Sequence, residues 1–410
     1  MTSTAASWTD LASHRAWLDR QFAALIRFNR NAIRDGGGFH WLDVDGRPLP
    51  DRQPLLFLTA RMTHVAAIGV LRGIPGSGAL LDHGLTSLTG VFADDVHGGW
   101  FSDPSRPEAR KSTYDQVHVG LAAASATAAG HPDARALLGQ VIEVIDTRLY
   151  AADENALRES FARDWSEEES YRGANANMHG TETFLAIGDV TGESRWHERG
   201  LAMAGRIIDT HARPNEWLIP EHFTVDWTPL PDHNREDPNH PFRPYGATLG
   251  HSLEWSRFLL ALDASPHLPA TPWLVRAAAA LTDRALGLWA ADGHEGLVYT
   301  VDWAGHPVAT SRLHWPVCEG IQATAALYRV TGDKHWEQWY RRLWDHAERH
   351  FIDDSGAWVN ELDPDLVAKS DIWPGRPDVY HSAGALVVPT VPLSPFVTLA
   401  VAEAAQGPRR

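Results

Sequence analysis

One cysteine, Cys318, serves a chain of 410 residues. A single thiol excludes a disulfide framework and any zinc site built on cysteine pairs. Long hydrophobic runs are missing too. No stretch approaches eighteen consecutive apolar residues, so no membrane-spanning helix is expected. The start, MTSTAASWTDLASHRAWLDRQF, has no uninterrupted apolar segment of the signal-peptide kind, and a cytoplasmic location is the expectation. Positive charge is scarce: 36 lysines and arginines face 52 aspartates and glutamates, a formal net charge of −16 with no basic run. That balance argues against nucleic acid or an anionic membrane surface as partner. Nucleotide and serine-hydrolase signatures are absent, with no G-x-x-x-x-G-K-S/T, no G-x-G-x-x-G after a strand and no G-x-S-x-G. The glycine-rich RDGGGFH lacks a phosphate-loop setting and reads as a turn.

Tryptophan, by contrast, is abundant at 18 residues. Core packing accounts for most of such a count, and stacking on sugar faces is the sharper alternative. The rest of the composition, 44% hydrophobic and 21% charged, is that of an ordinary globular protein.

An internal repeat organises the chain. VTGESRW at 190–196 returns as VTGDKHW at 330–336, each opening a helical segment. Six extended pieces each follow a helical stretch: 39–49, 98–107, 156–165, 216–227, 296–307 and 356–365. Most alternate apolar residues and end in Asp, Pro or Gly, as short strands and hairpins do. Helices before these pieces carry many polar residues, whereas those after them are apolar or small, the contrast between outer and inner layers. Six such pairs predict an all-α fold, an (α/α)6 barrel with short β-hairpins at the helix connections. An open solenoid of the same units is the alternative. With no linker or low-complexity run, residues 1–410 read as one domain.

Polar and aromatic clusters recur near the start of each inner helix. They are Arg61 and His64; Tyr114 and Asp115; Asn175, Asn177 and His179; His251 and Glu254; Trp315 and Glu319; Asp378 and His381. A common period would bring all six to one end of a barrel. A lone histidine on an apolar helix is ordinarily a hydrogen-bonded core residue, so the ring carries the functional reading and its members singly do not. The pairs His179/Glu182 and His251/Glu254 have the wrong order for a di-iron bundle, and His-E-x-x-His is absent, so no metal or cofactor is expected. Imidazole without metal suits proton transfer near neutral pH. Glu254, one turn beyond His251, is expected to hold its other ring nitrogen. Arg61 or a second histidine could stabilise a developing enediolate.

ARMTHV (60–65), NANMHGTETFLA (175–186), GHSLEWSRFLL (250–260) and PDVYHSAGA (377–385) together resemble the N-acylglucosamine 2-epimerase superfamily, over about residues 15–400. Within it they look most like the bacterial aldose–ketose isomerases of mannose and sulfoquinovose. The resemblance implies an (α/α)6 barrel acting on a free monosaccharide, without metal or cofactor, through a cis-enediol(ate). It implies His251 and His381 as the base and acid, with Glu254 orienting His251. Arg61, Tyr114, Asn175 and His179 would bind hydroxyls, Trp315 and Trp373 would wall the pocket, and Glu319 and Asp378 would add polar contacts. The direct Glu254-Trp255 step resembles the isomerases more than the epimerases, so mannose–fructose interconversion is the expected reaction. Sulfoquinovose, with Arg243 as an extra cation, and 2-epimerisation stay open. A glycoside hydrolase using Asp115 and Glu319 is more distant, and a non-catalytic helical-repeat binder remains the bland reading. The sequence specifies no oligomeric partner.

Overall fold

Two glycines show how the repeat is punctuated. Gly192 and Gly332, in the two VTG motifs, adopt φ of 76° and 68° and each terminates one helix in the left-handed conformation. Their N–H groups donate to Gly188 O and Tyr328 O at 2.8 Å, closing the last turn before the chain reverses. New helices begin at once, at Ser194 and Lys334.

The computed structural model describes residues 6–406. The first five residues of the stretch read for a signal peptide lie outside it. Helices come as outer–inner pairs in chain order: α1 (Ala12–Phe28) and α2 (Leu56–Leu71), α3 (Ser77–Thr89) and α4 (Thr113–Ala128), α5 (Ala134–Val144) and α6 (Ala174–Thr191). The remaining pairs are α7 (Ser194–Ala204) and α8 (Leu249–Asp263), α9 (Trp273–Leu286) and α10 (His314–Thr331), α11 (Lys334–His350) and α12 (Tyr380–Val387). Each of the six inner helices packs on the next, and α12 returns to α2 and α1, so the ring is closed and not an open solenoid. A last helix, α13 (Val397–Gln406), lies against α2 and α4, with Thr398 Oγ1 3.4 Å from Ser125 Oγ.

Burial follows the polarity contrast. Every residue of α8 from Leu249 to Leu262 is buried, whereas α11 buries one stripe, Trp336, Tyr340, Leu343, Trp344 and Ala347, at helical spacing. Trp196, Trp255 and Trp344 are among the largest fully buried side chains, and nine of the 18 tryptophans are buried, so core packing takes half of them. Among the described residues no helix is long and apolar enough to cross a membrane.

The extended pieces form the expected short local hairpins, such as Tyr150–Ala151 with Ala156–Leu157, and also pair over longer range. The two residues before α4, α6, α8 and α10 form antiparallel ladders with Ser160–Phe161, His222–Phe223, Thr300–Val301 and Glu361–Leu362 respectively. Each ladder ties the start of an inner helix to the connection one helix pair later. The pieces at 39–49 and 98–107 contribute isolated bridges, Ile33 to Phe39, Leu42 to Pro48 and Ala93 to Trp100. Together they build a rim around the end where the inner helices begin.

Candidate active site

That rim surrounds a cavity at the barrel end. Inner helices deliver Arg61, Tyr114, Asn175, His179, His251, Glu254, Trp315 and His381 to its wall. Trp373 and Asp378 come from the segment before α12. Ten of the eleven predicted site residues therefore share one cavity wall, and Glu319 stands directly behind it.

His381 Nδ1 bonds Glu319 Oε1 at 2.8 Å, with Glu319 fully buried. His251 Nδ1 bonds Glu221 Oε1 at 2.9 Å. The expected His251–Glu254 contact is thus replaced: the orienting carboxylate is Glu221, beside the ladder residue His222, and not the neighbour one turn along the helix. A carboxylate at Nδ1 holds the proton there and leaves Nε2 with a lone pair for the cavity. Trp315 packs against both imidazoles, with centroid separations of 5.2 Å to His251 and 5.5 Å to His381. Gly250 makes this possible, because a Cβ there would lie 2.2 Å from the indole.

Glu254 faces inward to other groups. Its Oε1 lies 3.9 Å from His179 Nδ1 and 3.9 Å from Arg257, with no hydrogen-bond partner in the protein. Arg257 sits beneath the cavity among three carboxylates, 3.3 Å from Glu319 Oε2 and 3.4 Å from Glu182 Oε1, while Tyr380 Oη donates to Glu182 at 2.5 Å. One cation does not balance three acids in a low-dielectric setting. Burial, reinforced by Glu319 and Glu182, pushes Glu254 well above its ordinary value, and burial with Glu182 lifts Glu319 to about 7 against the pull of Arg257. Glu254, Glu319 and His381 could also hold a metal by proximity, but Arg257 already supplies a cation to both carboxylates.

On the opposite wall, Arg61 donates from Nε to His118 Nε2 at 3.0 Å and pairs with Asp378 Oδ2 at 2.5 Å. Its third nitrogen lies 3.3 Å from His179 Nε2. Burial opposes ionisation of Asp378, yet the Arg61 guanidinium outweighs it and holds the carboxyl below its usual range. Burial and Arg61 together push His179 and His118 well below the ordinary imidazole value, so both stay neutral. Burial does the same to His381, again helped by Arg61.

Five buried polar atoms on this wall have no partner in the protein: Asn175 Oδ1, His179 Nδ1, Glu254 Oε1, His314 Nε2 and Asn360 Oδ1. Apolar faces from Phe57, Phe242, Tyr299, Trp315 and Trp373 alternate with them. A polyhydroxylated ring, with C–H faces and hydroxyl edges, has the matching chemistry.

Other sequence readings fall outside the cavity. His64 is a core residue bonded to Ser125 Oγ at 2.6 Å. Asn177 caps the backbone of Leu157 and Gly173. Asp115 lines an adjoining groove. Arg243 is committed to Glu169 and Glu159 at 2.7 and 3.2 Å and stacks on Tyr171. Glu221, His314, Asn360, Phe242, Tyr299, His118 and Arg257 were missed. Only Glu221 left a trace, an acid set among the apolar alternation of EWLIPEHF.

Comparison with known proteins agrees with this geometry. Residues 37–385 match the model of the N-acylglucosamine 2-epimerase (GlcNAc 2-epimerase) family. The chain is 46% identical to the D-mannose isomerase of Thermobifida fusca over 403 residues, 96% of this chain and 98% of that one. It is 44% identical to the D-mannose isomerase of Pseudomonas cannabina pv. alisalensis, over 97% of this chain and 98% of that one. A crystal structure of a D-mannose isomerase superposes with a TM-score of 0.84 at 26% identity, covering 91% of this chain and 97% of that chain. With the barrel, the ring of histidines and nearly full-length similarity in agreement, the chain belongs to the N-acylglucosamine 2-epimerase family, as a D-mannose isomerase-like member.

Proposed function

We propose that this protein interconverts D-mannose and D-fructose by proton transfer between C2 and C1 of the open-chain sugar, without a metal or cofactor. The observation that carries the reading is the pair of carboxylate-held imidazoles, Glu221–His251 and Glu319–His381, facing one cavity across Trp315. Near-full-length similarity to two D-mannose isomerases supplies the substrate.

One imidazole Nε2 takes the C2 proton while the C1 carbonyl oxygen gains a proton, giving a cis-enediol. Loss of the O2 proton and delivery of a proton to C1 then yield the ketose. The engaged Nδ1 of each histidine keeps a carboxylate beside the imidazolium that forms, stabilising it during transfer. Arg61 and neutral His179 offer donors for the oxygen on which charge develops. A sugar hydroxyl placed between Glu254 Oε1 and His179 Nδ1 would meet two polar atoms that lack partners in the protein.

The same geometry weighs against the alternatives. A sulfonate would need a free cation, and Arg243 is already paired with two carboxylates. A hydrolase would need two carboxylates flanking the substrate, whereas Asp115 lies in the next groove and Glu319 lies behind His381. The deciding experiment is NMR of D-mannose with EDTA-treated protein. Fructose supports the proposal, glucose without fructose moves the reading to 2-epimerisation, and activity that returns only with added metal overturns the mechanism.

A further inference from the structure

At the other end of α6, away from the cavity, a second group of ligand-type side chains converges. Asp189 lies near the end of α6, His197 on α7 and His267 after α8, and one donor atom of each lies within 4.8 Å of the other two. His197 is fully buried, and its Nε2 approaches Asp189 Oδ1 to 3.3 Å without making a hydrogen bond to any protein group. The Asp189 side chain is only 7% exposed. A buried imidazole nitrogen without a hydrogen bond thus faces a nearly buried carboxylate, an arrangement that a cation between them would satisfy.

Three surrounding features fit such a cation. Nδ1 of His197 is fixed by Ser265 Oγ at 2.8 Å, and the same hydroxyl accepts from the backbone N–H of His267 at 3.1 Å, so one residue orients the His197 ring and holds the chain that carries His267. Gly188 cradles the imidazole, since a Cβ there would lie 2.3 Å from His197 Nε2. Asp189 and exposed His267 border an open groove with Ala264 and Glu403, which gives an ion a route in.

We propose that Asp189, His197 and His267 bind one borderline divalent ion of the zinc type, as a clamp between α6, α7 and the α8–α9 connection. Two imidazoles and one carboxylate suit zinc, cobalt or nickel, whereas calcium and magnesium prefer all-oxygen sites. A fourth position stays open to water. Asp189 lies ten residues along α6 from His179, about 15 Å of helix rise, so the ion takes no part in sugar chemistry.

The test is calorimetric titration of ZnCl2 into the EDTA-treated, dialysed full-length protein, with a parallel thermal melt. One saturable site and a higher Tm with zinc are expected. His267→Ala and Asp189→Asn should each weaken that binding at least tenfold, with unchanged far-UV spectra. His267 is exposed, so its replacement does not threaten folding. His350→Ala, in the separate Glu295/His346/His350 cluster, should leave the binding intact. Absence of saturable binding, binding that survives both His267→Ala and Asp189→Asn, or loss on His350→Ala instead would each overturn the proposal.

Discussion

His251 and Glu221 are joined by a 2.9 Å hydrogen bond between residues 30 positions apart, and this contact sets which nitrogen of the histidine faces the sugar. A glutamine at 221 can donate its amide N–H to Nδ1 and so move the imidazole proton to Nε2. Glu221→Gln should therefore lower kcat by about a hundredfold or more with little change in KM. Glu254→Gln, which touches no catalytic nitrogen, should act mainly on KM. Steady-state kinetics on D-mannose with both variants checks the pair, and the reverse pattern would restore Glu254 as the orienting group.

The indole of Trp315 positions both histidines, and Gly250 gives it room. In Gly250→Ala the new methyl would occupy space 2.2 Å from the ring, so the indole must shift. At least a tenfold fall in kcat/KM is expected, with the melting temperature changing by only a few degrees. Kinetics and a thermal melt on one preparation separate these effects.

Arg61 is buried and serves His118, His179 and Asp378 at once. Its removal leaves the Asp378 carboxylate without its ion-pair partner. Arg61→Ala should cost about 3–5 kcal/mol of stability as well as abolishing turnover. Urea unfolding of the wild type and the variant measures it.

Burial lowers His64 to about 4 in the folded protein, whereas the unfolded chain titrates it near the ordinary imidazole value of 6.5. Between these values the unfolded state binds the extra proton, so stability contributed by neutral His64 is present above 6.5 and is lost as pH falls towards 4. Relative to His64→Gln, the wild type should lose about 3 kcal/mol across that window. Urea midpoints at several pH values for both proteins test the sign and the size.

Much of the barrel was legible because inner and outer helices differ in polarity along their whole length, and Gly192 and Gly332 mark the turns between them. The ring of site residues was legible for the same reason: one period places Arg61, Tyr114, Asn175, His179, His251, Trp315 and His381 at one end. What the sequence hid were contacts between elements. His251 and Glu254 are helical neighbours, but the imidazole turns to an extended segment and the carboxylate turns to α6 and Arg257. Glu221 reaches the site through a ladder between strands separated by other elements, a pairing no local pattern encodes. Arg243 looked available for an anion because nothing in PFRPYG announces Glu159 and Glu169.

The central claim is that two imidazoles, each held by its own carboxylate, move a proton between C2 and C1 of mannose. Fructose formation from D-mannose by wild type, His251→Ala and His381→Ala, all EDTA-treated and followed by NMR, addresses it directly. Wild-type turnover with a loss of about a thousandfold or more in each folded variant is the predicted result. Near-normal fructose formation by either variant would contradict it.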